Sequence, residues 1–141
     1  MKNNIEVEIC TFSLESCLNA QLAGASRVEL CSGMYDGGTT PSAAMIRMAR
    51  EKLSIQLYVM IRPRGGDFLY SDLEFEMMKE DIRFAKACRA DGVVLGILNA
   101  DGSVDVRRTR ELVELAAPLK VTFHRAIDMT RDMEEALANR I

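Results

Sequence analysis

The feature that most constrains this chain is a rhythm. Five short apolar segments, over 5–10, 27–31, 56–61, 93–98 and 120–124, are each followed by a stretch with helical periodicity. Strands spaced by helices pair in parallel through right-handed crossovers, because a tight turn cannot return the chain to a parallel partner. The helices have readable starts. Ser13, Ser42 and Asp105 stand as N-caps, and Ser71 with Glu74 three residues on reads as a capping box. Leu14, Cys17, Leu18 and Leu22 form the expected inward stripe of the first helix, and Met45, Met48 and Ala49 that of the second. Phe75, Met78, Ile82 and Ala85 serve the third, and Val106, Thr109, Leu112, Val113 and Ala116 the fourth. Gly24, Gly92 and Pro118 mark stops. A fifth helix is expected to start near Thr130 and to run on to Ile141. The spacing predicts an α/β fold with a parallel sheet, with no linker dividing 1–141 into two domains.

Composition excludes several function classes. Lys plus Arg is 18 and Asp plus Glu is 21, a net charge of -3 with no basic block, so nothing marks a nucleic-acid or anionic membrane partner. No apolar run approaches the roughly 18 residues of a membrane span. The segment Met1, Lys2, Asn3, Asn4 leads into alternating polar residues rather than a secretory apolar stretch. Four cysteines are too few for a disulfide scaffold, so a reduced, cytoplasmic setting is expected.

The polar residues inside the strands carry the chemistry. Buried parallel strands are normally apolar throughout. Here Glu8 precedes Cys10 by two, and Glu29 precedes Cys31 by two. Side chains two apart share a strand face, and these pairs sit toward the C-terminal ends where α/β folds place ligands. The third strand runs into Met60, Ile61, Arg62, Pro63, Arg64, Gly65, Gly66 and Asp67. Two cations beside two glycine amides form a candidate anion cradle; a tight turn with surface arginines is the plainer alternative. The fifth strand ends in His124, the only histidine, with Arg125 beside it and Asp128 nearby. If the strands line one mouth, Glu8, Glu29, His124 and Asp128 are candidate acid/base groups, and Arg62, Arg64, Gly65, Gly66 and Arg125 candidate anion ligands. Alternatively, Glu8 and Glu29 pair with Arg62 and only organise the interior. A third use is metal binding. Cys10, Cys31, Met60 and His124 offer soft or borderline donors, which suit Cu(I), although no short repeated ligand spacing is present. Cys17 and Cys88 lie on helices and read as packing residues.

These segments together resemble a known family. The 6–10 and 27–31 strands, the Gly37, Gly38, Thr39, Thr40, Pro41, Ser42 loop, the 61–71 run and the 122–128 run are similar to the CutC copper-homeostasis family, in order and in spacing. Ile127 stands where the family usually has phenylalanine, an apolar exchange. The resemblance implies a TIM-type (β/α)8 barrel, a cytoplasmic protein, dimerisation and a role in copper homeostasis. It also implies Cys10 and Cys31 as copper ligands; Met60 rests on strand parity alone.

Length then sharpens the fold. Five units in 141 residues are about 28 each, whereas eight need roughly 225–250. The chain is expected to be a partial barrel of about five βα units, with two unpaired sheet edges that favour self-association. Two functions are carried forward: a copper-binding protein using Cys10 and Cys31, and a barrel enzyme acting on a small anionic phosphate or carboxylate metabolite.

Overall fold

The computed structural model describes residues 5–139 and 141. The reading of residues 1–4 lies outside them, as does the stretch of the expected fifth helix at Arg140. The chain runs β1 (Glu8–Thr11), α1 (Leu14–Leu22), β2 (Arg27–Leu30), α2 (Ala43–Lys52), β3 (Gln56–Met60), α3 (Asp72–Ala87), β4 (Gly92–Leu95), α4 (Val106–Ala116), β5 (Lys120–Phe123) and α5 (Met133–Ala138). Short 3-10 turns, Met34–Asp36 and Arg125–Met129, follow β2 and β5. The five strands are all parallel and lie in the sheet in chain order, β1 to β5. The sheet is not closed: β1 and β5 are its edges. This is the α/β architecture of a partial TIM-type barrel.

Local chemistry explains the starts. Ser13, Ser42 and Asp105 each accept a backbone N–H from the third residue of their helix. Ser71 and Glu74 complete the reciprocal capping box of α3. The fifth helix differs from expectation. Residues 125–129 are taken by the 3-10 turn, Asp132 caps α5, and the Asn139 N–H closes its end on the Ala136 carbonyl. It is therefore a short helix that stops at Ala138 rather than running on.

The two faces of the sheet differ. Val28, Leu30, Leu57, Val59, Ile61, Val93 and Leu95 point outward into the helices and form the main core with Ile46, Met78, Ile82 and Leu112. All four stripe residues of α3 are buried there. Two expected stripes need correction. Leu22 is 84% exposed, because the buried arc of α1 centres on Cys17 and Ala20 and leaves position 22 off its edge. In α2, Ile46 and Ala49 are buried, whereas Met48 is turned away. Among the described residues, no helix is long and apolar enough to cross a membrane.

Candidate functional site

Strand register stacks the inner face in layers. Glu8 stands opposite Arg27, Cys10 opposite Glu29, Glu29 opposite Tyr58, and Tyr58 opposite Gly92. At the base, Glu8 and Arg27 form an ion pair, and the Arg27 guanidinium lies 4.4 Å from the Tyr58 ring centroid. The Tyr58 ring occupies the space over Gly92, where a Cβ would sit 2.6 Å from it. Glu8 is thereby committed to the base of the face and does not line the cavity above.

One layer higher, three potential metal donors meet. Cys10 Sγ lies 3.8 Å from Cys31 Sγ, and Cys31 Sγ lies 3.7 Å from a Glu29 carboxylate oxygen. One donor atom from each of the three falls within 4.8 Å of the others. Cys10 is exposed and Cys31 fully buried. The contact with Cys31 pulls the Cys10 thiol down from its ordinary value, while the shared proton and burial push Cys31 up. Burial, followed by the Glu8 charge, raises Glu29. Thiolates are the ligands that suit a soft ion. Two sulfurs 3.8 Å apart are within the span of one ion, since two metal–thiolate bonds of about 2.3 Å (the zinc value) reach about 4.6 Å. The donor set is therefore of a size to hold one metal ion. Met60 packs beside Cys31 in the same small buried cluster, whereas His124 is not in the donor group.

The strand ends above form the cavity, about 840 Å³, within the usual range of small-molecule sites. Cys10, Glu29, Met60, Arg62, Gly66, His124 and Arg125 line it. Arg62 is only 5% exposed, yet it pairs with neither Glu8 nor Glu29. It donates instead to the carbonyls of Asp36 (2.6 Å), Gly38 (2.9 Å) and Gly66 (2.7 Å). Its guanidinium also reaches the Tyr70 hydroxyl, and its Nε is sealed from solvent. The interior-organising alternative is thus corrected: the acceptors of Arg62 are loop backbone, not carboxylates. His124 is 9% exposed, and its Nδ1 accepts the Ala126 N–H at 3.1 Å. Burial first, and then the Arg62 charge, lowers its pKa to about 4. A neutral ring whose Nδ1 accepts must carry its hydrogen on Nε2, and Nε2 has no partner. Phe68 supports both groups, with its ring centroid 4.9 Å from the Arg62 guanidinium and 5.1 Å from the His124 ring. Gly96 makes room for the imidazole: a Cβ there would meet it at 2.6 Å.

The remaining candidates are placed differently. Arg64 turns to α3, where it binds Glu74 at 2.6 Å and Asp67 at 3.0 Å and lies over Tyr70. It does not line the cavity, and neither does Gly65, whose absent side chain leaves room for the Asp36 carboxylate. Asp128 is exposed on the 3-10 turn, outside the lining. Of the candidate anion ligands, Arg62, Gly66 and Arg125 line the cavity. Phe68 and the three carbonyls were missed from sequence. An aromatic just after the glycine pair was a usable signal for Phe68; backbone acceptors leave none.

Comparisons with known proteins agree on one group. The CutC family model matches residues 5–141. The chain is 56% identical over 135 residues to the family protein CutC of Chromobacterium violaceum, covering 96% of this chain and 55% of that protein. It is 51% identical over 135 residues to the copper homeostasis protein cutC homolog of Homo sapiens, covering 96% and 50%. A solved crystal structure of a CutC protein from Streptococcus agalactiae superposes with a TM-score of 0.87 at 39% identity, covering 93% of this chain and 64% of that one. The chain spans about half the length of the curated relatives it matches. It belongs to the CutC family.

Proposed function

We propose that this CutC family member acts in copper homeostasis by holding one copper ion, as Cu(I), at the mouth of the sheet in a reduced, cytoplasmic setting. The convergence of Cys10 Sγ, Glu29 and Cys31 Sγ within 4.8 Å carries the reading. Two thiolates supply soft donors, and the carboxylate offsets the ion's charge. The exposed Cys10 gives the ion a way in and out, and the buried Cys31 holds it from below. Copper is cargo here, so a site open on one side suits transfer better than a closed cage. Association of two copies is part of the same reading.

Titration of the reduced protein with Cu(I) against a chromophoric chelator tests this. One equivalent should bind tightly, and the Cys10→Ser, Cys31→Ser double variant should lose at least a hundredfold in affinity. Equal affinity in that variant removes the site.

A further inference from the structure

The three donors of the thiol cluster are unlike in character. Cys10 and Cys31 bring soft sulfur, whereas Glu29 brings a hard oxygen, which zinc accepts and Cu(I) does not favour. Strand register places a fourth candidate on the other flank of Cys31. Leu30 stands opposite Val59, and both point outward into the helical core. The next residues, Cys31 and Met60, therefore stand side by side on the inner face. Both are buried, in one small cluster with Tyr58 and Val94. Cys31 Sγ and Met60 Cε lie 3.4 and 3.5 Å from the same point, the position a Cβ on Gly38 would take. The absent side chain of Gly38 thus leaves its space to two sulfur-bearing residues. Met60 also lines the cavity through which an ion would reach Cys10.

Resting on the copper reading above, we propose that the Met60 thioether is the third ligand of the ion and the residue that makes the site select Cu(I) over zinc. Cys31 is the centre of the arrangement. Its Sγ has Cys10 Sγ at 3.8 Å and a Glu29 oxygen at 3.7 Å, and Met60 is its neighbour on the next strand. The two thiols are common to two possible donor sets. With Met60 the set is all sulfur, which suits Cu(I); with Glu29 it is the mixed sulfur and oxygen set that zinc accepts. The third donor therefore decides the ion. A methionine side chain is unbranched and turns about three bonds, so its sulfur can swing toward Cys31 without moving the strand. The thioether also carries no proton to lose, so it binds without a change of charge in an enclosed place.

Methionine methyl 1H–13C spectra of the reduced protein, with Met60→Leu to assign the Met60 signal, test this with Cu(I) and Zn(II) as probes. One equivalent of Cu(I) should shift the Met60 methyl, and Zn(II) should move it far less. In chelator competition, Met60→Leu should lower Cu(I) affinity on the order of tenfold or more and leave Zn(II) affinity unchanged. Glu29→Gln should do the reverse. Should the leucine variant fail to fold, copper-edge X-ray absorption of the selenomethionine-labelled parent reads the same ligand: a selenium neighbour beside two sulfurs is expected, and sulfur alone overturns the proposal. It is also overturned if Cu(I) leaves the Met60 methyl unmoved, or if Met60→Leu weakens both ions equally, as a packing role would. The Cys10→Ser, Cys31→Ser variant separates the two readings. Thiol-dependent Cu(I) binding with an unmoved Met60 removes this inference alone, whereas Cu(I) affinity indifferent to the thiols removes both.

Discussion

The two faces of one sheet follow different rules. On the outer face, alternate residues of β2, β3 and β4 are aliphatic and fully enclosed by α1 to α4. On the inner face, the same strands carry Arg27, Glu29, Cys31, Tyr58, Met60 and, at the end, Arg62. The outer face holds the strands in place. The inner face uses that rigidity to keep polar groups where water alone would not leave them. A site can be costly on one side of a strand because the other side is uniformly apolar.

This contrast can be broken from either side. The largest effect is expected outside: Leu57→Ala should cost roughly 3–5 kcal/mol in urea unfolding, as for other fully buried leucines. A loss below about 1 kcal/mol would mean that the outer face does not dominate stability. Next comes pH. His124 takes its proton near pH 4 in the folded chain and near 6.5 when unfolded. Between those values the unfolded state binds more protons, so stability is whole above about pH 6.5 and falls by up to about 3 kcal/mol as pH drops toward 4. Arg62 and Arg125, both facing the ring, act in the same direction. Melting temperatures measured from pH 7 to pH 4 should show this fall in the parent and lose most of it in His124→Gln; equal slopes would assign the fall elsewhere. The smallest effect is expected at the base. Glu8 and Arg27 are both partly solvated, so Glu8→Gln should cost less than about 1 kcal/mol, best read in a double-mutant cycle with Arg27→Gln. A larger coupling would make the base of the inner face as important as its top.

How much the sequence disclosed follows the same division. The strands, their order and the caps at Ser13, Ser42, Ser71 and Asp105 were legible, because period and capping chemistry are local. Strand parity put Glu8 with Cys10 and Glu29 with Cys31, but that Glu29 stands beside both thiols depends on register between strands and was not read. Helix faces were legible only in part: a leucine at position 22 looks like core until Gln21, beside it, is seen binding the 54–55 backbone. The partners of Arg62 could not be read, since carbonyls have no residue identity. Arg64 and Asp128 were misplaced because a capping box and a 3-10 turn drew them from the mouth.

The three carbonyls on Arg62 belong to two loops. Asp36 and Gly38 come from the connection after β2, and Gly66 from the connection after β3. One side chain therefore fastens both. Loosening Arg62 is therefore felt in both connections at once, and Thr40 adds to the tie, its N–H donating to the Arg62 carbonyl and its hydroxyl accepting the Arg62 N–H.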